Sequence, residues 1–324
     1  MRAWKGRARS LGRESVATAL RWVPPPVLNR LRLSFPTTSP TTLAHRVERR
    51  LLEVARHRGI PAGVDSFALV DNPSVSLVRA DSFVTERSYW FGETFGYEPG
   101  GIFWWRHFCK GATKILELGA NIGYYTVQGG GVAAGARYVA VEPHPGCAAT
   151  CRRNLDLNDL HNVEIVEAAA VGAAGSTEVT LMLPGGRDHY SEAPCTGFIG
   201  RNELHRSDAS DPSYTSLLVP AVELRDLMAG VDLFKLDVEG QEYDLLSSIA
   251  DELRATRPTI FVEVLDGTPK LRGFVADLCR SAGYGCYIPT LDRLVPVPIG
   301  EIATLSVPSR FGTRDVVLTC HPPR

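Results

Sequence analysis

Residues 117–123 read Glu117-Leu118-Gly119-Ala120-Asn121-Ile122-Gly123, and they join an apolar run that starts at Lys114 to a helical pattern that extends to about Ala134. A short apolar run is typical of a buried strand, and the glycines mark a turn after it. Because glycine has no Cβ, such a turn lets the backbone come close to a ligand. The stretch therefore predicts a strand, a ligand-binding turn and a helix.

The same alternation of strand and helix continues along the chain. Further strands are predicted at 138–142, 163–168, 233–237 and 259–264, with helices at 145–157, 241–249 and 270–282. Strands and helices that alternate in this way, with right-handed crossovers, form a doubly wound α/β fold with a mostly parallel sheet. Two late segments, 285–288 and 315–320, are expected to supply an antiparallel edge.

Changes in composition divide the chain into three predicted parts. These are a basic, Pro-rich mobile arm at 1–40, an N-terminal cap of helices and strands at 41–110, and the α/β domain at 111–324. Within the cap we expect a helix from Leu43 to about Arg58 and strands at 66–70 and 76–84. A polar stretch from Pro184 to Pro220 predicts a long loop, which we interpret as a substrate-contacting segment.

The turn after the first strand differs from the G-x-G-x-x-G turn of dinucleotide enzymes, because an acidic residue, Glu117, precedes it. A carboxylate there would repel a diphosphate, but it suits the ammonium or sulfonium end of S-adenosylmethionine. Glu142 ends the next strand, where an acidic side chain can accept hydrogen bonds from both ribose hydroxyls. Pro143 then stops that strand, and the small residues around Ala170 leave room for an adenine ring. S-adenosylmethionine is therefore the predicted cofactor.

A second motif lies at residues 235–242, Lys235-Leu236-Asp237-Val238-Glu239-Gly240-Gln241-Glu242. This run resembles the K-x-D-x-E-G-x-E segment of the FkbM family of methyltransferases. With Leu116 to Tyr124, Val141-Glu142-Pro143 and Phe261 to Val264, the resemblance covers about residues 115–283. It implies a class I methyltransferase fold, Rossmann-like, and O-methylation of a hydroxyl on a sugar, glycolipid or secondary metabolite.

The resemblance also assigns roles to residues. It implies that the methionine end of the cofactor lies on Glu117, Gly119, Asn121 and Gly123, that Glu142 binds the ribose, and that Asp237 and Glu239 face the reacting centre. The complete set of predicted cofactor-binding residues is Glu117, Gly119, Ala120, Asn121, Gly123, Glu142, Pro143 and Ala170. The predicted catalytic residues are Asp237 and Glu239.

Methyl transfer to an alcohol needs a group that takes the hydroxyl proton. Asp237, at the carboxyl end of a strand, is the first candidate and Glu239 the second; both carboxylates could instead orient the acceptor or brace the Gly240 turn. His189 and His205, on the polar loop, are alternative bases.

Glu263 is a third acid at a strand end, and Mg²⁺ prefers such oxygen ligands. The spacing of Asp237, Glu239 and Glu263 does not specify a metal site, since alternate residues of an extended segment point to opposite sides. We therefore assign no metal ligand from the sequence, and a role for Mg²⁺ stays open.

Composition restricts the partners. A formal net charge of −1 gives no positive field for nucleic acid, and no stretch approaches the roughly 20 apolar residues of a transmembrane helix. Seven scattered cysteines favour a reducing, cytoplasmic location. The expected partner is a small-molecule or glycoside hydroxyl acceptor, and the sequence is compatible with a homo-oligomer.

Two other functions remain open at this point. An NAD-dependent dehydrogenase shares the fold and the ribose acid, but it predicts a G-x-G-x-x-G turn that residues 117–123 do not have. A non-catalytic cofactor-binding or scaffold subunit predicts a damaged cofactor site, whereas each expected residue is present.

Overall fold

The structure is a computed structural model, and it describes residues 25–35, 42–56, 59–172, 175, 177–184, 197–199, 214–307 and 313–323. The chain divides into two compact units. Unit 1 comprises residues 1–79 and 83–97, and unit 2 comprises residues 80–82 and 98–324.

The described part of unit 1 consists of helices and one small hairpin. The helices are α1 (Pro25–Ser34), α2 (Leu43–Arg56) and α3 (Phe83–Phe91), and the antiparallel strands are β1 (Ser66–Ala68) and β2 (Ser76–Val78). Helix α2 buries Leu52 and Ala55, whereas Leu43 and Val47, which its helical spacing of apolar residues places on the packed face, are exposed. Helix α1 lies within the predicted arm, and the other residues of that arm, except Phe35, lie outside the described residues.

The strand predicted over 76–84 is wrong beyond residue 78. The polar pair Asp81-Ser82 interrupts the apolar alternation, and serine is a common residue at a helix N-cap. Helix α3 accordingly begins at Phe83.

A large mixed sheet organises unit 2. Its strands in chain order are β3 (Lys114–Leu118), β4 (Arg137–Val141), β5 (Val163–Val166), β10 (Leu233–Leu236), β11 (Thr259–Glu263), β12 (Gly285–Pro289), β13 (Leu294–Val297) and β14 (Asp315–Thr319). Their order across the sheet is β13-β12-β14-β11-β10-β3-β4-β5. The five strands from β11 to β5 are parallel, whereas β14, β12 and β13 pair antiparallel. This topology confirms the predicted fold class and the antiparallel edge.

Helices alternate with these strands. In chain order they are α4 (Pro99–Cys109), α5 (Tyr124–Gly130), α6 (Pro145–Leu157), α7 (Leu224–Leu227), α8 (Glu242–Ser248), α9 (Ala250–Thr256) and α10 (Pro269–Ala282), with a 3₁₀-helix at Ile299–Thr304. The central strands are buried almost throughout. Their nearly continuous apolar runs are typical of a sheet that is covered on both faces. No helix among the described residues combines the length and the apolar character that a membrane span requires.

A second sheet follows β5. It contains β6 (Ala169–Val171), β7 (Glu178–Pro184), β8 (Phe198–Ile199) and β9 (Tyr214–Glu223), in the order β6-β9-β7-β8. Two interpretations from the sequence change here. The strand predicted from 163 to 168 ends at Val166, and residues 214–220 are strand rather than loop, because they pair with β7. The predicted loop residues His189, Tyr190 and His205 lie outside the described residues.

Candidate active site

Strands β3 and β10 lie side by side near the middle of the large sheet, and the chain continues from them in opposite directions. It passes from β3 to β4 on one side and from β10 to β11 on the other. Ligands of open α/β sheets bind outside the carboxyl ends of the strands at such a point. The turn at 119–123 and the segment at 237–240 follow these two strand ends, so both lie at the expected ligand edge.

Glycines allow the two segments to touch. Gly119 has φ +79°, and a Cβ built on it would lie 1.8 Å from the carbonyl oxygen of Asp237. Gly123 has φ +83°, and its Cβ would lie 2.5 Å from the Cys151 sulfur of α6. Any larger residue would therefore move the turn away from β10 or from α6, besides straining the backbone.

Glu142 stands at the carboxyl end of β4 and is 6% exposed. The backbone N–H of Asn121 donates to its Oε2 and that of His144 to its Oε1, both at 2.8 Å. Burial raises the pKa of Glu142 to about 7, although these two hydrogen bonds oppose the shift. Each oxygen of an ionised carboxylate has a second acceptor position, so the side chain is fixed and can still accept hydrogen bonds from a ligand.

The side chain of Glu117 is hydrogen-bonded to other residues of the protein. Its Oε2 accepts hydrogen bonds from Thr126 Oγ1 at 2.8 Å and from the Tyr138 hydroxyl. Burial raises its pKa to about 7, while Tyr138, Lys235 and Thr126 favour the ionised form. The carboxyl group therefore ties β3 to α5 and β4, and its predicted contact with the cofactor stays a prediction.

Three further predicted cofactor residues lie near the turn, and one lies farther along. Ala120 donates its N–H to Val141 O at 3.1 Å, Asn121 has φ +50°, and Pro143 is half-buried directly after Glu142. Ala170 belongs to β6, where it pairs with Val222 of β9. Ala170 thus lies on the second sheet, and its predicted place beside an adenine ring stays a prediction.

Three acids meet at the carboxyl ends of β10 and β11. One carboxylate oxygen each from Asp237, Glu239 and Glu263 lies within 4.8 Å of the other two, and we call these residues the acidic cluster. The expectation that Asp237 and Glu239 point to opposite sides is wrong, because β10 ends at Leu236 and Glu239 has φ +52°. The alternation of an extended strand therefore does not apply to them.

Glu242 shapes the backbone of this segment. Its Oε1 accepts hydrogen bonds from the N–H groups of Val238 at 3.0 Å and Gly240 at 3.2 Å. Gly240 has φ +100°, a conformation that favours glycine. The E-G-x-E part of the motif thus forms a turn whose last acid holds the backbone that places Asp237 and Glu239.

The pKa values of the cluster reflect burial and mutual repulsion. Burial, with Asp237 and Glu242, raises the pKa of Glu239 to about 8. Burial, with Asp237 and Glu239, raises the pKa of Glu263 well above its ordinary value. The cluster is therefore a place where negative charge is costly without a cation.

Lys235 is the buried cation beside the cluster, and the sequence analysis gave it no role. Its Nζ lies 3.0 Å from Asp237 Oδ2, 3.9 Å from Asp315 Oδ2 and 4.4 Å from the centroid of the Tyr125 ring. Burial lowers the pKa of Lys235, but Asp237 and Asp315 outweigh that effect and the net shift is upward. The strand predicted over 233–237 places Lys235 and Asp237 on one face, and this spacing was the available signal.

Sequence reasoning also missed Glu98 and Asp315. The Tyr125 hydroxyl donates to Glu98 Oε2 at 2.8 Å and lies 3.2 Å from Asp315 Oδ2. Burial, with Asp315 second, raises the pKa of Glu98 to about 8, and burial raises that of Asp315 to about 6. Both residues lie outside the 115–283 segment that carries the motifs, and no sequence signal links them to Asp237.

The comparison with protein families and the comparison with known proteins both find methyltransferases. The model of a family described as "Methyltransferase FkbM domain" matches residues 117–286, more than half of the chain. The chain is 27% identical to Methyltransferase sdnD of Sordaria araneosa over 157 residues, and 28% identical to Methyltransferase 1 of Beauveria bassiana (strain ARSEF 2860) over 164 residues. These matches cover 43% and 47% of this chain, and 61% and 64% of those relatives. Among solved structures, methyltransferase FkbM from Methylobacillus flagellatus KT matches with a TM-score of 0.37 and 15% identity, covering 64% of this chain and 43% of that one.

Proposed function

The chain belongs to the FkbM methyltransferase family, and from this premise we propose that it transfers a methyl group from S-adenosylmethionine to a hydroxyl oxygen of a sugar, glycolipid or secondary metabolite. The observation that carries the proposal is the pairing of two sites at one sheet edge. One site contains Glu142, which accepts a hydrogen bond from the backbone N–H of Asn121 in the glycine turn. The other contains Asp237, whose carbonyl oxygen lies against Gly119.

The residues at the first site fit an adenosine cofactor with a cationic end. The backbone carbonyl of Asp237 occupies the space that a Cβ at Gly119 would fill. Glu142 is fixed by backbone N–H groups, and its carboxylate oxygens can still accept hydrogen bonds from a ligand. Glu142 would bind the ribose hydroxyls, while the turn at 119–123 would hold the methionine end. When bound, S-adenosylmethionine supplies an electrophilic methyl group.

At the second site, carboxylates face the acceptor. Methyl transfer from a sulfonium is an in-line displacement, so holding the acceptor oxygen in place supplies much of the acceleration. Asp237 is half-buried and its Oδ2 is held by Lys235, which fixes the direction of the carboxylate. We assign to Asp237 the removal of the hydroxyl proton, and to Glu239 the orientation of the acceptor.

The class of acceptor follows from this chemistry. An alcohol oxygen is a weak nucleophile that must lose its proton, so a site with carboxylates suits it. Both relatives are named methyltransferases, and neither name specifies an acceptor. The choice among sugars, glycolipids and secondary metabolites therefore rests on experiment.

The test uses purified protein, S-adenosylmethionine labelled in the methyl group and a panel of glycosides, glycolipids and polyketides. We expect label in at least one hydroxyl-bearing product, located at oxygen by mass spectrometry. An Asp251→Asn variant, which changes a fully exposed carboxylate, should transfer label as the unmodified chain does. Label at nitrogen or carbon would contradict O-methylation while leaving cofactor use intact.

A further inference from the structure

The acidic cluster at the acceptor side contains a carboxyl group whose surroundings are incomplete. Glu263 is 7% exposed, and its Oε2 is fully buried with no hydrogen-bond partner among the described residues. Its Oε1 lies 3.8 Å from Arg314 Nη1, beyond hydrogen-bond distance, and the Arg314 side chain is mostly exposed. Buried polar atoms in folded proteins are almost always paired, so an orphaned carboxylate oxygen on a residue of the acidic cluster points to a missing partner.

The neighbouring cation does not supply that partner. Lys235 makes its short contacts with Asp237 Oδ2 and with the ring of Tyr125. Its remaining carboxylate contact, at 3.9 Å, is with Asp315 rather than with Glu263. Glu263 Oε2 therefore stays without a hydrogen-bond partner among the described residues, beside the carboxyl groups of Asp237 and Glu239.

The spacing of the three oxygens suits a small, hard cation. Carboxylates are the preferred protein ligands of Mg²⁺ and Ca²⁺, at about 2.1 Å and about 2.3–2.6 Å respectively. Two oxygens on opposite sides of such an ion would then lie about 4.2–5.2 Å apart, and adjacent ones about 3 Å. Oxygens within 4.8 Å of one another need only a small contraction to surround one ion.

We propose that Asp237, Glu239 and Glu263 bind one divalent cation of the Mg²⁺ class at the carboxyl ends of β10 and β11. The role of this cation rests on the proposed function. A cation there would coordinate the acceptor hydroxyl, orient it and lower its pKa, so that transfer of its proton to the Asp237 carboxylate, the base assigned above, would cost less. The protein itself would keep the remaining coordination positions open for the acceptor and for water.

The experiment uses Mn²⁺ as a probe for the full chain without cofactor or acceptor. Electron paramagnetic resonance should show one bound Mn²⁺ per chain, displaced by excess Mg²⁺. The Glu263→Gln variant keeps the shape of the side chain but removes its charge, and it should bind Mn²⁺ at least tenfold more weakly. The matched control is Glu301→Gln, at an exposed position of the 3₁₀-helix, which should bind as the unmodified chain does.

Thermal unfolding provides a second readout that does not depend on activity. A ligand that binds only the folded state raises the unfolding temperature. Mn²⁺ should therefore stabilise the unmodified chain and Glu301→Gln, but not Glu263→Gln. If Glu263→Gln does not fold, Glu239→Gln takes its place in both measurements.

The possible results are clearly separated. Absence of Mn²⁺ binding, or binding that Glu263→Gln and Glu239→Gln leave unchanged, would overturn the metal site. Calorimetry with S-adenosylmethionine, run in EDTA, tests the proposed function separately. A chain that binds the cofactor but no Mn²⁺ retains the proposed function and loses only the cation.

Discussion

At the scale of single residues, the site depends on buried carboxyl groups for which the protein supplies some, but not all, of the hydrogen bonds they can accept. Glu142 receives two backbone N–H groups, Glu117 receives two hydroxyls, and Asp237 receives the Lys235 ammonium. The number of hydrogen bonds left for a ligand differs among them. Glu142 is fixed by backbone alone, which makes it the best placed to bind a ligand without rearrangement.

Replacement of Glu142 by alanine should weaken binding of S-adenosylmethionine by about 10-fold to 100-fold, because hydrogen bonds to a charged group contribute about 1.5–3 kcal/mol each. Calorimetry measures the change. The control is Glu164→Gln, an exposed acid on β5 that forms an ion pair with Arg137. Unchanged affinity in Glu142→Ala would remove the ribose role of this residue.

Cofactor affinity should also depend on pH. Burial raises the pKa of Glu142 to about 7, so the carboxyl is mostly protonated below that pH and mostly ionised above it. The ionised form accepts hydrogen bonds at both oxygens, and affinity should therefore increase as pH rises from 6 to 8. Glu142→Gln does not titrate and should have a nearly flat profile over this range; an equally steep profile in that variant would assign the dependence to another group.

The Asp237→Asn substitution should reduce turnover by about 10²–10⁴, the usual contribution of a general base, and should change cofactor affinity by less than about threefold. Single-turnover kinetics with labelled cofactor separates the two effects. Retained turnover in Asp237→Asn would refute its role in proton removal.

At the scale of secondary-structure elements, the close approach of two strand ends defines the site. The turn after β3 and the segment after β10 touch at Gly119 and Asp237, and Glu242 at the start of α8 holds the second segment in place. The two motifs, far apart in the sequence, therefore form one edge. A disturbance at either one is expected to affect the other.

Gly119→Ala tests this contact. The added Cβ would lie 1.8 Å from Asp237 O, and φ is +79°, so we expect a loss of about 1–3 kcal/mol in the free energy of unfolding together with weaker cofactor binding. The matched control is Gly273→Ala in α10, where a Cβ meets nothing within 4 Å and helix propensity favours alanine by about 1 kcal/mol. Chemical denaturation of both variants checks the prediction, and a Gly119→Ala chain as stable as the unmodified one would contradict the close approach.

Elements with strong local patterns were predictable from the sequence, and those defined by distant partners were not. The apolar run at 114–118 and the glycine turn correctly predicted β3 and the helix that follows the turn. Strand β9 was interpreted in part as loop, because its polar residues become a strand only through pairing with β7. Asp315 lies on β14, far from Lys235 in the sequence, so no spacing rule identified the contact between these two residues.

At the scale of the whole molecule, the proposed cofactor and acceptor residues all belong to unit 2, and the family match lies within it. Unit 1 contributes none of the residues to which we assign a role. The division into arm, cap and domain predicted from composition stays a prediction. The proposed reaction requires S-adenosylmethionine, so binding of this cofactor decides whether the chain can perform it.

The most direct test is isothermal titration calorimetry of the full chain with S-adenosylmethionine, with NAD⁺ titrated in parallel. We predict one binding site per chain for S-adenosylmethionine, weakened in Glu142→Ala, and no heat of binding for NAD⁺. Binding of NAD⁺ without binding of S-adenosylmethionine, or binding of neither, would contradict the proposed function.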